Sequence, residues 1–157
     1  MRALVTGGAG FIGSHLCRRL VAGGHEVVVI DNLSSGKLAN VVPEAEFIEA
    51  DVGDQSAYDS IPSQVDIVYH LASRVGQEAS FEDPVEDLRV NALATATLLE
   101  WGARSGLQRL VFASSMNVYG NINPPSALVT ESSAIEPPSP YAVGKLASEH
   151  LQAIYGR

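Results

Sequence analysis

The chain has 157 residues, 46% of them hydrophobic and 18% charged, and a formal net charge of −8 at pH 7. That length supports one domain with a real core, and an acidic surface whose only adjacent cations are Arg18 and Arg19 argues against nucleic acid or an anionic membrane as the main partner. No apolar run approaches the ~20 residues of a membrane span, no secretory pattern opens the chain, and Cys17 has no second cysteine to pair with, so a reducing, cytoplasmic setting is expected.

Apolar runs alternate with helix-period segments, which predicts a doubly wound α/β domain: a parallel sheet with helices on both faces. Ala3-Leu4-Val5 reads as a short buried strand, and residues 11–21 carry Ile12, Leu16 and Leu20 at helical spacing. Between them runs Val5-Thr6-Gly7-Gly8-Ala9-Gly10-Phe11-Ile12-Gly13. This strand–turn–helix setting gives a glycine-rich dinucleotide fingerprint its physical meaning. A Cβ there would keep a pyrophosphate off the backbone or push the helix off the strand. Gly23-Gly24 ends the helix, and residues 25–30 form a second strand closing at Asp31, before the polar loop 32–37. Residues 46–50 are a weaker third strand ending at Asp51, and residues 65–71 a strong fourth. Asp83-Pro84 is a cap followed by proline at the first helical position. The helix it opens carries Leu88, Ala92, Thr95, Ala96 and Leu99 on one stripe and stops at Gly106. Residues 110–113 are a fifth strand leading into Ser114-Ser115, and residues 120–138, rich in Pro, Ser and Asn, are a long functional loop. Ser139-Pro140 repeats the cap signal and starts a last helix reaching about Tyr155. No internal repeat or domain linker interrupts the pattern.

Right-handed crossovers place all the strand ends on one edge of the sheet. The glycine turn, Asp31, Asp51, the segment after Leu71 and Ser114-Ser115 therefore converge there. Asp31 lies 18 residues beyond Gly13, where a carboxylate accepts from both ribose hydroxyls of an adenosine and repels a 2′-phosphate. That favours NAD over NADP, although a turn-capping Asp is the alternative and Lys37 can neutralise a phosphate. Asp51, with Val52, can face an adenine amino group or simply cap a turn. Tyr141 and Lys145 are four apart at a helix start, so they share a face. A free phenol, with a pKa near 10, is a poor base, and a neighbouring ammonium favours its ionised form. Ser115 can donate to a substrate oxygen or bond local backbone, and Ser114 is the weaker candidate. Asn91 lies within the apolar stripe and is expected to satisfy buried backbone or brace the site. His15, His25, His70 and His150 lack metal-ligand spacing and are read as structural, so no metal is expected. Trp101, Phe112 and Tyr69 are read as core or interface.

Together these residues resemble the extended short-chain dehydrogenase/reductase superfamily, and within it the NAD-dependent nucleotide-sugar epimerases and dehydratases. The resemblance is carried by Thr6-Gly7-Gly8-Ala9-Gly10-Phe11-Ile12-Gly13-Ser14, residues 31–37, His70-Leu71-Ala72, Ser114-Ser115-Met116-Asn117-Val118-Tyr119-Gly120, Glu131, and Pro140-Tyr141-Ala142-Val143-Gly144-Lys145. It covers essentially the whole chain, and residues 31–37 are most like the UDP-glucose 4-epimerase branch. It implies a Rossmann-type fold with Gly7, Gly10, Phe11, Ile12 and Gly13 at the pyrophosphate. Asp31, Asn32, Ser35, Gly36 and Lys37 would surround the ribose, Asp51 and Val52 the adenine, and Leu71 and Ala72 would pass beside NAD, with Asn91 bracing that site. Ser115, Tyr141 and Lys145 would be the catalytic set, Lys145 also holding the nicotinamide ribose. The implied reaction is epimerisation of a UDP-sugar at C4 through a transient 4-keto sugar, with NAD regenerated. The alternatives are another enzyme of this kind on a nucleotide-sugar, such as a UDP-glucuronate decarboxylase or epimerase or a 4-ketoreductase, or a non-catalytic NAD-binding fragment.

Two departures qualify the resemblance. Dehydratases usually carry an Asp-Glu pair after the catalytic hydroxyl, whereas this chain has Met116 and Asn117, which cannot shuttle the proton that eliminating water requires. Family members also run to about twice this length, so residues 1–157 are expected to be the NAD-binding domain without the C-terminal nucleotide-sugar region. The apolar stripe Leu146, Leu151 and Ile154 would then lack one partner, leaving the chain prone to self-association. Relatives pair through helices like those at 84–104 and 141–155, so a homodimer is the expected assembly.

Overall fold

The computed structural model describes residues 1–61, 64–120 and 128–156. Five parallel strands form one sheet: β1 (Arg2–Thr6), β2 (Glu26–Asp31), β3 (Glu46–Glu49), β4 (Ile67–His70) and β5 (Leu110–Phe112), in the spatial order β3-β2-β1-β4-β5. The strands β3-β2-β1 form one mononucleotide-binding half and β4-β5 begin the second, with the order reversing between β1 and β4. Val5 is flanked by Val29 on β2 and Tyr69 on β4.

Side-chain alternation along the central strands builds two cores. Leu4, Val28, Ile30 and Val68 face one way and pack with Ala94 and Leu98. Ala3, Val5, Val27, Val29 and Ile67 face the other and pack with Cys17 and Leu20 of α1 (Phe11–Ala22). Strands covered on both faces need apolar residues at consecutive positions, which is why β1 and β2 read as unbroken apolar runs. Burial pushes the Cys17 thiol up to about 11, so it behaves as a small core side chain.

The remaining helices are α2 (Gln77–Glu82), α3 (Pro84–Leu88), α4 (Ala94–Ser105) and α5 (Pro140–Tyr155). The sequence pattern misses α2, which is short and has no side-chain cap. The helix expected to run unbroken from Pro84 is also corrected. A π turn, Arg89–Leu93, separates α3 from α4. It shifts the buried stripe to Asp87, Asn91, Thr95, Leu98 and Leu99, leaving Leu93 exposed. Strands β3, β4 and β5 are shorter than their apolar runs by one to three residues. Part of the functional loop expected at 120–138 lies outside the described residues. Among the described residues no helix is long and apolar enough to cross a membrane.

Candidate functional site

In the β1–α1 turn the surrounding backbone leaves no space for a side chain at Gly7 or Gly13. Gly7 has φ +72, a conformation that strains any L side chain. A Cβ on Gly13 would lie 2.2 Å from the Gly7 carbonyl oxygen and 2.7 Å from Gly8 Cα, so only glycine lets α1 start this close to the turn. The Gly7 N–H donates to Ile30 O at 2.8 Å, tying the turn to β2. No side chain caps α1. Its first turn, with Gly7, Gly10, Phe11, Ile12 and Gly13, instead lines a cavity of about 700 Å³. An uncapped helix N-terminus offers free N–H groups and the positive end of the helix dipole to an anion. A dinucleotide fits this donor set and cavity size.

Asp31 closes β2 at the cavity wall and is buried. Its Oδ2 accepts from Ala9 N at 3.0 Å and its Oδ1 from Leu33 N at 2.8 Å. The turn-capping alternative is therefore realised, and Asp31 supports Leu33 at φ +58. Each carboxylate oxygen still has a lone pair for a second donor. Asn32, Ser35, Asp51, Val52, Leu71 and Ala72 line the same cavity. Gly36 and Lys37 do not. Gly36 packs on Ala9, where a Cβ would come within 2.9 Å of its backbone, and Lys37 N donates to Ala9 O at 3.2 Å. Asp51 forms a local turn, its Oδ1 accepting from Gly53 N at 2.7 Å, while its Oδ2 accepts from Asn32 Nδ2 at 3.2 Å. Burial pushes the Asp51 carboxyl up, but the Arg89 guanidinium, the Gly53 N–H and the Asn32 amide hold it below the usual carboxylate range.

Tyr141 and Lys145 occupy the first two turns of α5. The helix starts where expected: Ser139 Oγ accepts from Ala142 N at 3.2 Å, and Pro140 follows. Lys145 is 2% exposed. Its Nζ donates to Ala113 O at 3.0 Å and lies 4.7 Å from the Phe112 ring centroid and 5.8 Å from that of Tyr141. Ala113 is itself part of the cavity wall. Burial pushes the Lys145 ammonium down to about 8, against the opposing pull of Asp87. Ser115 Oγ accepts from Asn117 N at 3.2 Å, the local bond its alternative reading allows, and its O–H is left to donate elsewhere. Ser114 instead donates to Glu149 and ties β5 to α5.

Asn91 does not line the cavity; it holds the wall. Its Oδ1 accepts from Ser73 Oγ at 2.7 Å and Arg74 N at 3.2 Å, and its Nδ2 donates to Arg74 O at 3.0 Å and Asp87 Oδ1 at 3.1 Å. The π turn makes this possible: the Asn91 carbonyl also accepts from Ser148 Oγ of α5 at 2.6 Å. Behind the wall, His70 is buried between Thr6 Oγ1 (2.7 Å from Nδ1) and Thr95 Oγ1 (3.0 Å from Nε2). Thr95 Oγ1 donates to Asn91 O at 3.3 Å, which leaves its oxygen to accept from His70 Nε2–H and assigns Nδ1 to accept from the Thr6 hydroxyl. Burial, helped by the Lys145 charge, pushes His70 down to about 3. Among the described residues no three His, Cys, Asp or Glu converge as metal ligands.

Ser34, Ser73, Arg74, Glu86 and Arg89 also line the cavity, and the sequence reading missed them. Only their placement three to four residues apart, or directly after β4, could have marked them. On a helix, charged residues read first as a solvated face.

The NAD dependent epimerase/dehydratase family matches this chain over residues 3–157. UDP-glucose 4-epimerase of Mycolicibacterium smegmatis is 40% identical over 162 residues, covering 99% of this chain and 51% of that protein. The dTDP-glucose 4,6-dehydratase of Streptomyces niveus is 36% identical over 169 residues, covering 100% of this chain and 50% of that one. Among solved structures, the UDP-glucose 4-epimerase of Thermus thermophilus in complex with NAD superposes with a TM-score of 0.91 at 41% identity, covering 99% of this chain and 51% of that one. The chain thus spans about half the length of the relatives it matches.

Proposed function

Because the chain belongs to the NAD dependent epimerase/dehydratase family, we propose that it serves an enzyme that inverts a UDP-sugar at C4, with NAD held in the cavity at the strand ends. The observation that carries this reading is that one motif lines the cavity and a second is tied to its wall from behind. The glycine turn of β1–α1 lines it, and Lys145, paired with Tyr141 on α5, bonds its wall at Ala113 O at 3.0 Å.

Gly7, Gly10 and Gly13 line the pyrophosphate, and the N–H groups of Phe11 and Ile12 donate to it. Asp31 uses the remaining lone pair on each oxygen for the ribose hydroxyls, which disfavours a 2′-phosphate. Asn32 and Ser35 flank the same ribose, with Gly36 and Lys37 closing the loop behind it. Asp51 and Val52 meet the adenine, while Leu71 and Ala72, braced through Asn91, flank the cofactor. When bound, NAD supplies a hydride acceptor and donor that is regenerated in each cycle. Tyr141 Oη takes the proton of the sugar 4-hydroxyl, and the Lys145 cation stabilises the charge on that oxygen. Ser115, its acceptor side already bonded to Asn117 N, donates its O–H to the same sugar oxygen. Met116 and Asn117 offer no proton shuttle beside it, which supports epimerisation over dehydration. Pairing of two copies through the helices at 84–104 and 141–155 belongs to the same proposal.

Mass spectrometry of ligands released from the purified protein tests the reading, with NAD and a UDP-hexose the expected pair. Release of NADP would overturn the role given to Asp31. The Y141F variant should retain NAD while losing roughly 10²–10⁴-fold in turnover. Unchanged turnover in that variant would remove Tyr141 from the chemistry.

A further inference from the structure

Arg89, on the π turn, is a cation whose own hydrogen bonds say which part of it is left for a ligand. Its Nε and Nη2 donate to Glu86 Oε2 and Oε1 at 2.7 and 2.8 Å. Its Nη2 and Nη1 donate to Asp51 Oδ2 and Oδ1 at 3.1 and 3.4 Å. The N–H donors of a guanidinium lie in its plane, and these four bonds engage them with two carboxylates on different segments, one 38 residues away in sequence. A guanidinium clamped along its edges has little in-plane donor capacity left and keeps its faces. The side chain is 41% exposed, and Arg89 lines the cavity with Asp51, Asn32 and Val52. This is the end farthest along the sheet edge from β5, on the side of β2 and β3.

A phosphate is a poor match for such a group, because its oxygens need the in-plane donors that Glu86 and Asp51 already hold. A planar aromatic ring is a good match, because it needs only a face. From this we propose that Arg89 is a stacking platform for the base of the dinucleotide, held flat and oriented by Glu86 and Asp51. The proposal rests on the NAD reading of the cavity and adds a residue that fixes affinity for the base. The amino group of adenine can reach Asp51 Oδ2 by replacing Asn32 Nδ2, held there at 3.2 Å, whereas stacking on Arg89 is indifferent to that group.

That difference sets the experiment. Calorimetry on the intact protein compares NAD with nicotinamide hypoxanthine dinucleotide, which keeps the purine face and lacks the amino group. In R89Q both affinities fall by the same factor, about three- to thirtyfold. In D51N the NAD affinity falls more than that of the hypoxanthine compound. A direct signal accompanies this: the Arg89 Nε–Hε resonance, identified by its loss in R89Q, moves upfield in the ring current when either dinucleotide binds. It stays in place with nicotinamide mononucleotide, which has no purine. If R89Q weakens NAD alone, Arg89 acts only by positioning Asp51 and the stacking proposal falls. It falls equally if the resonance does not move or if R89Q binds both compounds like the wild type. If the wild type binds neither dinucleotide, the NAD reading fails first and this inference with it.

Discussion

His70 illustrates how a residue with no part in the chemistry can govern the site. Both of its ring nitrogens are engaged by threonine hydroxyls, and its ring is neutral because burial pushes it down to about 3. An unfolded histidine titrates near 6.5, so between those values the unfolded chain binds a proton that the folded chain refuses. The stability this group contributes is fully present above about pH 6.5 and is lost as pH falls toward 3. Urea unfolding between pH 7 and 4.5 should therefore show a steeper loss for the wild type than for H70Q, by up to one proton. Equal slopes would mean that His70 is not held neutral. The role of this residue was legible only in part. Its spacing read as structural in the sequence, but nothing there placed Thr6 and Thr95 on either side of the ring. The same is true of Arg89, whose partner Asp51 sits on another segment.

At the scale of elements, α5 shows what local rules can deliver. Ser139 caps it, Pro140 opens it, and Tyr141 and Lys145 follow on one face, all as the sequence predicted. S139A removes the acceptor for Ala142 N and should lower stability by about 0.5–2 kcal/mol, read as a shift in the urea midpoint at constant slope. A cap contributing nothing would leave that midpoint in place. The α3–α4 region is the counterexample. Apolar periodicity there is compatible with one continuous helix, and the π turn is decided by tertiary bonds: Ser148 on α5 and the Ser73–Arg74 segment both reach Asn91. A wide turn that costs helix geometry survives because it satisfies these buried groups.

At the scale of the molecule, the sheet is one mononucleotide-binding half, β3-β2-β1, continued by β4 and β5, and the chain covers about half of its relatives' length. Val85 and Leu93 of the helical layer are 79% and 64% exposed, as is Ile154 on α5 at 63%. Scattered exposed apolar residues are ordinary, but here they lie on the elements proposed to pair two copies. Sedimentation over a range of concentrations should show a monomer–dimer equilibrium that L93E weakens. A monomer at every concentration would dismiss that pairing.

The sequence by itself determined the doubly wound fold, the glycine turn, the carboxylate at the end of β2 and the Tyr141–Lys145 spacing, because each depends on residues close together in the chain. Backbone conformation, capping and helical periodicity are local, and they act through a few neighbours. The tertiary structure alone decided the π turn, the neutral His70 and the clamped guanidinium of Arg89, because each is set by partners that only folding brings within hydrogen-bond reach.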